Sequence, residues 1–171
     1  MIESYHSEFR RYHGYIVAIL EQIDDNVLNQ IPVEGGNSIA MLVRHLHGNL
    51  HSRFTDLLTS DGEKEWRNRE DEFAKVTLTV DDARSLWNDA WAILESALQS
   101  LEGQDLEQEI TIRRQPLTVR AALLRSLAHI SYHVGQMVVA ARVGKADAWE
   151  FMTIPPGQTA LYNQNPTKER G

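Results

Sequence analysis

Two histidines four residues apart, His129 and His133, sit in the run Leu127-Ala128-His129-Ile130-Ser131-Tyr132-His133-Val134-Gly135-Gln136. On a helix that spacing puts both imidazoles on one side, where they can converge on a metal ion. A second group, His45, His47 and His51, lies far upstream. Two ligands from one helix and one from another, in a chain without cysteine, describe an open divalent-metal site. An open site leaves a position for water or substrate, and so for chemistry.

The helix that must carry the pair runs from Val119 to about Val143, entered through Pro116-Leu117-Thr118 and stopped at Gly144. At roughly 100° per residue, Ala122, Ser126, His129, His133, Gln136 and Ala140 form one stripe. Leu123, Leu127, Ile130, Val134, Met137, Val138 and Ala141 form another, roughly 110° away. The histidines thus have a face of their own, among small and polar neighbours that leave room for a cavity. Gln136, one turn past His133, is placed to orient a ligand or touch substrate.

Three more amphipathic segments complete the set. Apolar spacing predicts a helix from Ser7 to Leu28, broken by the Ile31–Asn37 stretch. Ser38 reads as the N-cap of a second helix with Ile39, Leu42, Val43, Leu46, Leu50, Phe54 and Leu57 along one side, ending near Thr59. Thr79 and Asp82 form a capping box for a third, carrying Leu86, Trp87, Ala90, Ile93, Leu94, Ala97 and Leu101 and closed by Gly103. Glu109 to Arg113 alternates like a short strand or extended connection, and the tail from Trp149 to Gln158 reads as irregular chain packed across the helices. Four long helices with a long crossover between the second and third make an all-α four-helix bundle in a single domain, 1–171. Bundles build metal sites from side chains on facing helices.

Composition narrows the partners. The chain has 171 residues, 42% hydrophobic and 24% charged, as in an ordinary globular domain. Its 17 Lys and Arg against 24 Asp and Glu give a net charge of −7, which argues against a nucleic-acid binder. The N-terminal residues lack the pattern of a signal peptide, and no apolar run approaches the roughly 20 residues of a membrane span. The expected compartment is the cytoplasm, with no membrane partner. The stretch Asp61–Phe73 is dense in charge and by composition reads as a solvated loop, but Trp66 among its alternating charges points to a lid or partner surface and predicts that the loop packs against the bundle or a second subunit.

Periodicity alone does not choose the third ligand. His47 and His51 form an i,i+4 pair of their own, while His45 lies on the opposite side of the helix. His6 and His13 read as surface or core residues.

A Ser cap followed seven residues later by a histidine, together with H-x-x-x-H on the last long helix, resembles the DinB-like (YfiT-like) superfamily of metal-dependent hydrolases and thiol transferases. The residues are Ser38, His45, His129 and His133, and Leu46 and Gly48-Asn49 also fit. The loop Thr59–Arg69 and the tail Ile154–Thr159 are similar to an uncharacterised bacterial branch of that superfamily. The resemblance implies an up-down-down-up bundle, a zinc or nickel site formed by His45, His129 and His133, and a homodimer. His47 and His51 become bystanders, and Asn49 joins Gln136 as a residue beside the ligands. Some relatives act with low-molecular-weight thiols, so the expected function is a thiol (S-)transferase with a small-molecule substrate. No Glu adjoins His129 or His133, unlike the H-E-x-x-H of zinc proteases, which favours transfer over hydrolysis. The alternatives are a metal-dependent hydrolase, or a non-enzymatic bundle whose metal site is structural or vestigial and which binds a protein partner.

Overall fold

In the computed structural model, which describes residues 2–167, four long helices form the body of the protein. They are α1 (Ile2–Gln22), α3 (Ile39–Phe54), α5 (Val80–Ser100) and α6 (Val119–Lys145). Shorter pieces join them: α2 (Asp25–Asn29), α4 (Arg69–Glu72), a hairpin of β1 (Glu109–Ile112) and β2 (Gln115–Thr118), and α7 (Thr159–Tyr162). Around the bundle α1 packs on α5 and α6, and α3 packs on the same two.

Contacts along the helices give their directions. Arg84, early in α5, donates to the carbonyl of Leu20 late in α1, while His6 meets the carbonyl of Leu98. These two helices are therefore antiparallel. Tyr5 lies against Arg120 at the start of α6, and the Gln22 amide bonds the backbone of Glu150 just past its end, so α1 and α6 run together. Arg44 reaches the carbonyl of Ala74 ahead of α5, and Phe54 shares a cleft with Ile93 and Ala97 further along it; α3 and α5 are parallel. The order is up-down-down-up, which requires the second and third long helices to be joined by a crossover the length of the bundle.

The helices follow from their caps and apolar stripes. Ser38, Thr79 and Thr118 each accept a hydrogen bond from the third backbone N–H of the helix they open, and Asp82 completes a capping box with Thr79. The core is filled by Phe9, Ile16 and Ile19 of α1, Leu42, Leu46 and Leu50 of α3, Trp87 and Leu94 of α5, and Leu123 and Met137 of α6. Tail residue Trp149 is buried in the same core.

Several boundaries depart from the sequence reading. The first helix stops at Gln22, and Asp24 caps a separate short α2 by accepting from Val27 N. The second ends at Phe54, five residues before Thr59, because Thr55 is extended and Asp56 takes a positive φ of 50°. Leu101 ends α5, and Gly103 instead opens a 3-10 turn. The alternating Glu109–Ile112 is a strand; its partner, Gln115–Thr118, gave no comparable signal because Pro116 interrupts it. Gly144 does not stop α6, which runs one residue further to a cap at Ala146.

Candidate metal centre

The capped start of α3 places His45 two turns inside the helix, facing α6. There His45 Nε2 lies 3.0 Å from His129 Nε2, which lies 3.0 Å from His133 Nε2. Nitrogens held by a tetrahedral ion at about 2.05 Å would be about 3.3 Å apart. The trio is therefore already close to coordination spacing. His45 and His133 are buried, and His129 is partly so.

Their other ring nitrogens are committed. His45 Nδ1 is 2.8 Å from Glu72 Oε2, and His133 Nδ1 is 2.7 Å from Gln136 Oε1. Both acceptors fix the Nδ1–H tautomer, leaving Nε2 with a lone pair aimed inward. His129 Nε2 can donate its single hydrogen to one neighbour only. The other neighbour's lone pair is then left without a donor, and with the hydrogen on His129 Nδ1 instead, three lone pairs face one another; a cation at the centre relieves either arrangement. Burial, and then the charges of His133, His45, Arg67 and Arg53, lower the His129 pKa to about 3, and burial also lowers that of His133. Both rings are thus neutral near pH 7, the form that ligates. This buried histidine triad could hold a metal ion.

Glu72 is the residue that sequence reasoning missed. The crossover carries it to the triad on short α4, where Asn68 accepts from Asp71 N. Arg67 grips the carboxylate from Nε and Nη2 at 2.8 and 2.9 Å. Burial raises the Glu72 pKa, but hydrogen bonds from His45 and Arg67 outweigh that effect and leave it below the ordinary value. Gly48 makes room for this pair: a Cβ there would fall 2.2 Å from Glu72 Oε1.

Part of the charged stretch walls the site, with Arg67, Arg69 and Phe73 on the cavity, while Glu65, Trp66 and residues 68–71 stay exposed. Arg53 pairs with Glu63 at 2.8 Å, and Lys64 N donates to buried Ser52 Oγ. Asp61 latches the loop to the β1–β2 turn, accepting from the backbone N–H groups of Glu63, Arg113 and Arg114. Trp66 is not the anchor; it remains 60% exposed.

A cavity of about 520 Å³ opens above the triad. Asn49 and Gln136 both line it, with Phe73, Ser126 and Tyr132. Asn49 makes no side-chain hydrogen bond among the described residues, so its amide is free for a ligand.

A second trio, His47, His51 and Asp89, has ligand atoms equally close together. Here both Nε2 atoms meet Asp89 Oδ2, at 2.9 and 2.7 Å. Two N–H donors on one carboxylate satisfy each other, and Asp89 is largely exposed. This cluster needs no ion. His6 bonds the Leu98 carbonyl, and His13 stacks on Trp87 and Trp91; both are packing residues.

Among the described residues no helix is long and apolar enough to cross a membrane. No curated protein and no solved structure matches the chain. One family model, described as "Protein of unknown function (DUF1572)", matches residues 1–158, and the chain belongs to that family.

Proposed function

We propose that the protein is a DinB-like metal-dependent enzyme in which His45, His129 and His133 hold one divalent ion, zinc or nickel, and a small molecule reacts beside it. The observation that carries this reading is the convergence of three Nε2 atoms on the floor of a cavity, two of them oriented from behind by Glu72 and Gln136. The up-down-down-up order agrees with the resemblance. A structural metal site would be closed by a fourth protein ligand. Among the described residues no fourth metal-binding side chain joins this trio.

A bound ion supplies a positive charge that favours the deprotonated form of a thiol or water at its open position. The surrounding residues favour the thiol. Hydrolysis profits from a nearby carboxylate base, but no Asp or Glu lines the cavity. The nearest carboxylate, Glu72, has both oxygens engaged by His45 and Arg67. In the transfer, the thiol proton passes to solvent, sulfur forms a bond to an electrophilic carbon, and the leaving group departs from that carbon with its electron pair. Asn49 and Gln136 position ligand and substrate, and Phe73, whose ring lies 4.5 Å from that of His45, helps exclude water.

Cobalt substitution tests this reading, because sulfur ligation produces a strong charge-transfer band. Addition of bacillithiol, glutathione or simple thiols should raise that band. An unchanged spectrum, with an exchangeable water still bound, would move the assignment to hydrolysis. The homodimer is supported by an exposed apolar stripe on α6, formed by Leu124, Tyr132, Val139 and Val143. Sedimentation of wild type and Val139→Glu, with only the wild type dimeric, is the expected result.

A further inference from the structure

Five of the chain's 17 basic residues, Arg53, Arg67, Arg69, Arg113 and Arg125, line the cavity that opens on the histidine triad. In a protein of net charge −7 this concentration is unexpected from composition. It is also incompletely balanced. Glu63 Oε2 is shared by Arg53, Arg67 and Arg113, Glu72 takes Arg67, and exposed Glu70 meets Arg69 at 3.4 Å. Three carboxylates against five guanidinium groups leave two positive charges, and none of those carboxylates faces the cavity.

Arg125 is the clearest case. It projects from α6 one turn before His129, on the cavity wall. Among the described residues it has no ion pair and no hydrogen bond. Nothing in the fold requires a guanidinium there. A planar five-donor fork lining the same cavity as an uncharged amide, Asn49, and a cationic centre suits a carboxylate or phosphate group.

We infer that the substrate is a small organic anion, with its carboxylate or phosphate held by Arg125 at the cavity mouth and its reacting end at the triad. About 520 Å³ accommodates a molecule of metabolite size, not a peptide or nucleic acid strand. This rests on the cavity being the substrate site proposed above, and it supplies the charge class that the triad alone leaves open.

The test measures binding rather than turnover. Zinc content is first measured by elemental analysis. Melting temperature is then followed against increasing succinate, inorganic phosphate and the neutral control succinamide, at constant ionic strength, with zinc-loaded and metal-free protein. Succinate and phosphate should bind at least tenfold more tightly than succinamide. Arg125→Gln should reduce that preference about three- to tenfold while leaving the melting temperature without ligand unchanged, since Arg125 has no partner to lose. Arg125→Glu should abolish it. Loss of zinc binding with the anion shift retained would refute the metal reading and support the anion site. Equal response to succinate and succinamide, or equal anion binding by wild type and Arg125→Glu, would overturn the inference.

Discussion

Replacing Gly48 by alanine should reverse the ordinary sign of that substitution. In the interior of a helix, glycine to alanine is worth about 1 kcal/mol of added stability. Gly14 of α1 is such a position, with nothing within 4 Å of a new Cβ. At Gly48 the methyl would lie 2.2 Å from Glu72 Oε1, 2.8 Å from Cδ and 3.3 Å from Cγ. Ordinary carbon contacts need about 3.5 Å, so the carboxylate must retreat by more than about 1 Å. A free glutamate would do so cheaply. This one is held by Arg67, whose side chain is 2% exposed, and by His45. Breaking a buried pair costs about 3–5 kcal/mol, so the net loss should be about 2–4 kcal/mol. For a chain of this length that is a fall in melting temperature of roughly 5–15 °C. Zinc affinity should drop about 10- to 100-fold, because His45 loses the acceptor that orients it. Urea denaturation and zinc titration of Gly48→Ala, with Gly14→Ala as control, measure both. If Gly48→Ala gains stability like the control and binds zinc normally, Glu72 does not hold the site.

His129→Ala should abolish stoichiometric metal, whereas His47→Ala should leave it nearly intact; equal losses would contradict the separation of the two clusters. The metal-free protein should lose stability as pH falls from about 6.5. An unfolded histidine gains its proton there, while native His129, lowered to about 3 by burial first and neighbouring charges second, does not. The slope from this group is at most about 1.4 kcal/mol per pH unit. His129→Asn should reduce the fall of the urea midpoint between pH 6.5 and 5, above the range where depressed carboxylates such as Glu72 act, leaving the part due to His133 and His13, which burial also lowers. Asp61→Ala should cost about 1–3 kcal/mol by releasing the loop from the hairpin, with Asp61→Asn milder because its oxygen still accepts. An unchanged urea midpoint for Asp61→Ala would contradict that latch.

What could be read from the chain before its fold was known divides along physical lines. Caps and apolar stripes are local, so Ser38, Thr79 and Thr118 marked helix starts correctly and the His129 stripe separated cleanly from the Ile130 stripe. Ends were less legible. Thr55 and Leu101 end helices through backbone conformations that neither residue announces, while the glycines at 103 and 144 invited the wrong reading. Within the centre, the histidine spacing was visible, but the choice of His45 over His47 needed the resemblance, since both lie on the same helix. Glu72 and Arg67 were hidden because they reach the triad along an irregular crossover, where no periodicity connects position in sequence to position in space. Their alternating charges, with Trp66, were the available signal, and they pointed to a packed loop without saying which residue reaches the triad. Arg125 was nearer to recognition: it sits four residues before His129, beside the stripe already drawn.

Diffraction at the absorption edge of zinc, from crystals of protein loaded with one equivalent of zinc, tests the central claim most directly. The expected result is a single anomalous peak roughly 2.0–2.2 Å from Nε2 of His45, His129 and His133, with Glu72 and Gln136 still on the opposite nitrogens. A peak at His47, His51 and Asp89 with the buried triad empty, or a triad whose rings diverge, would contradict it.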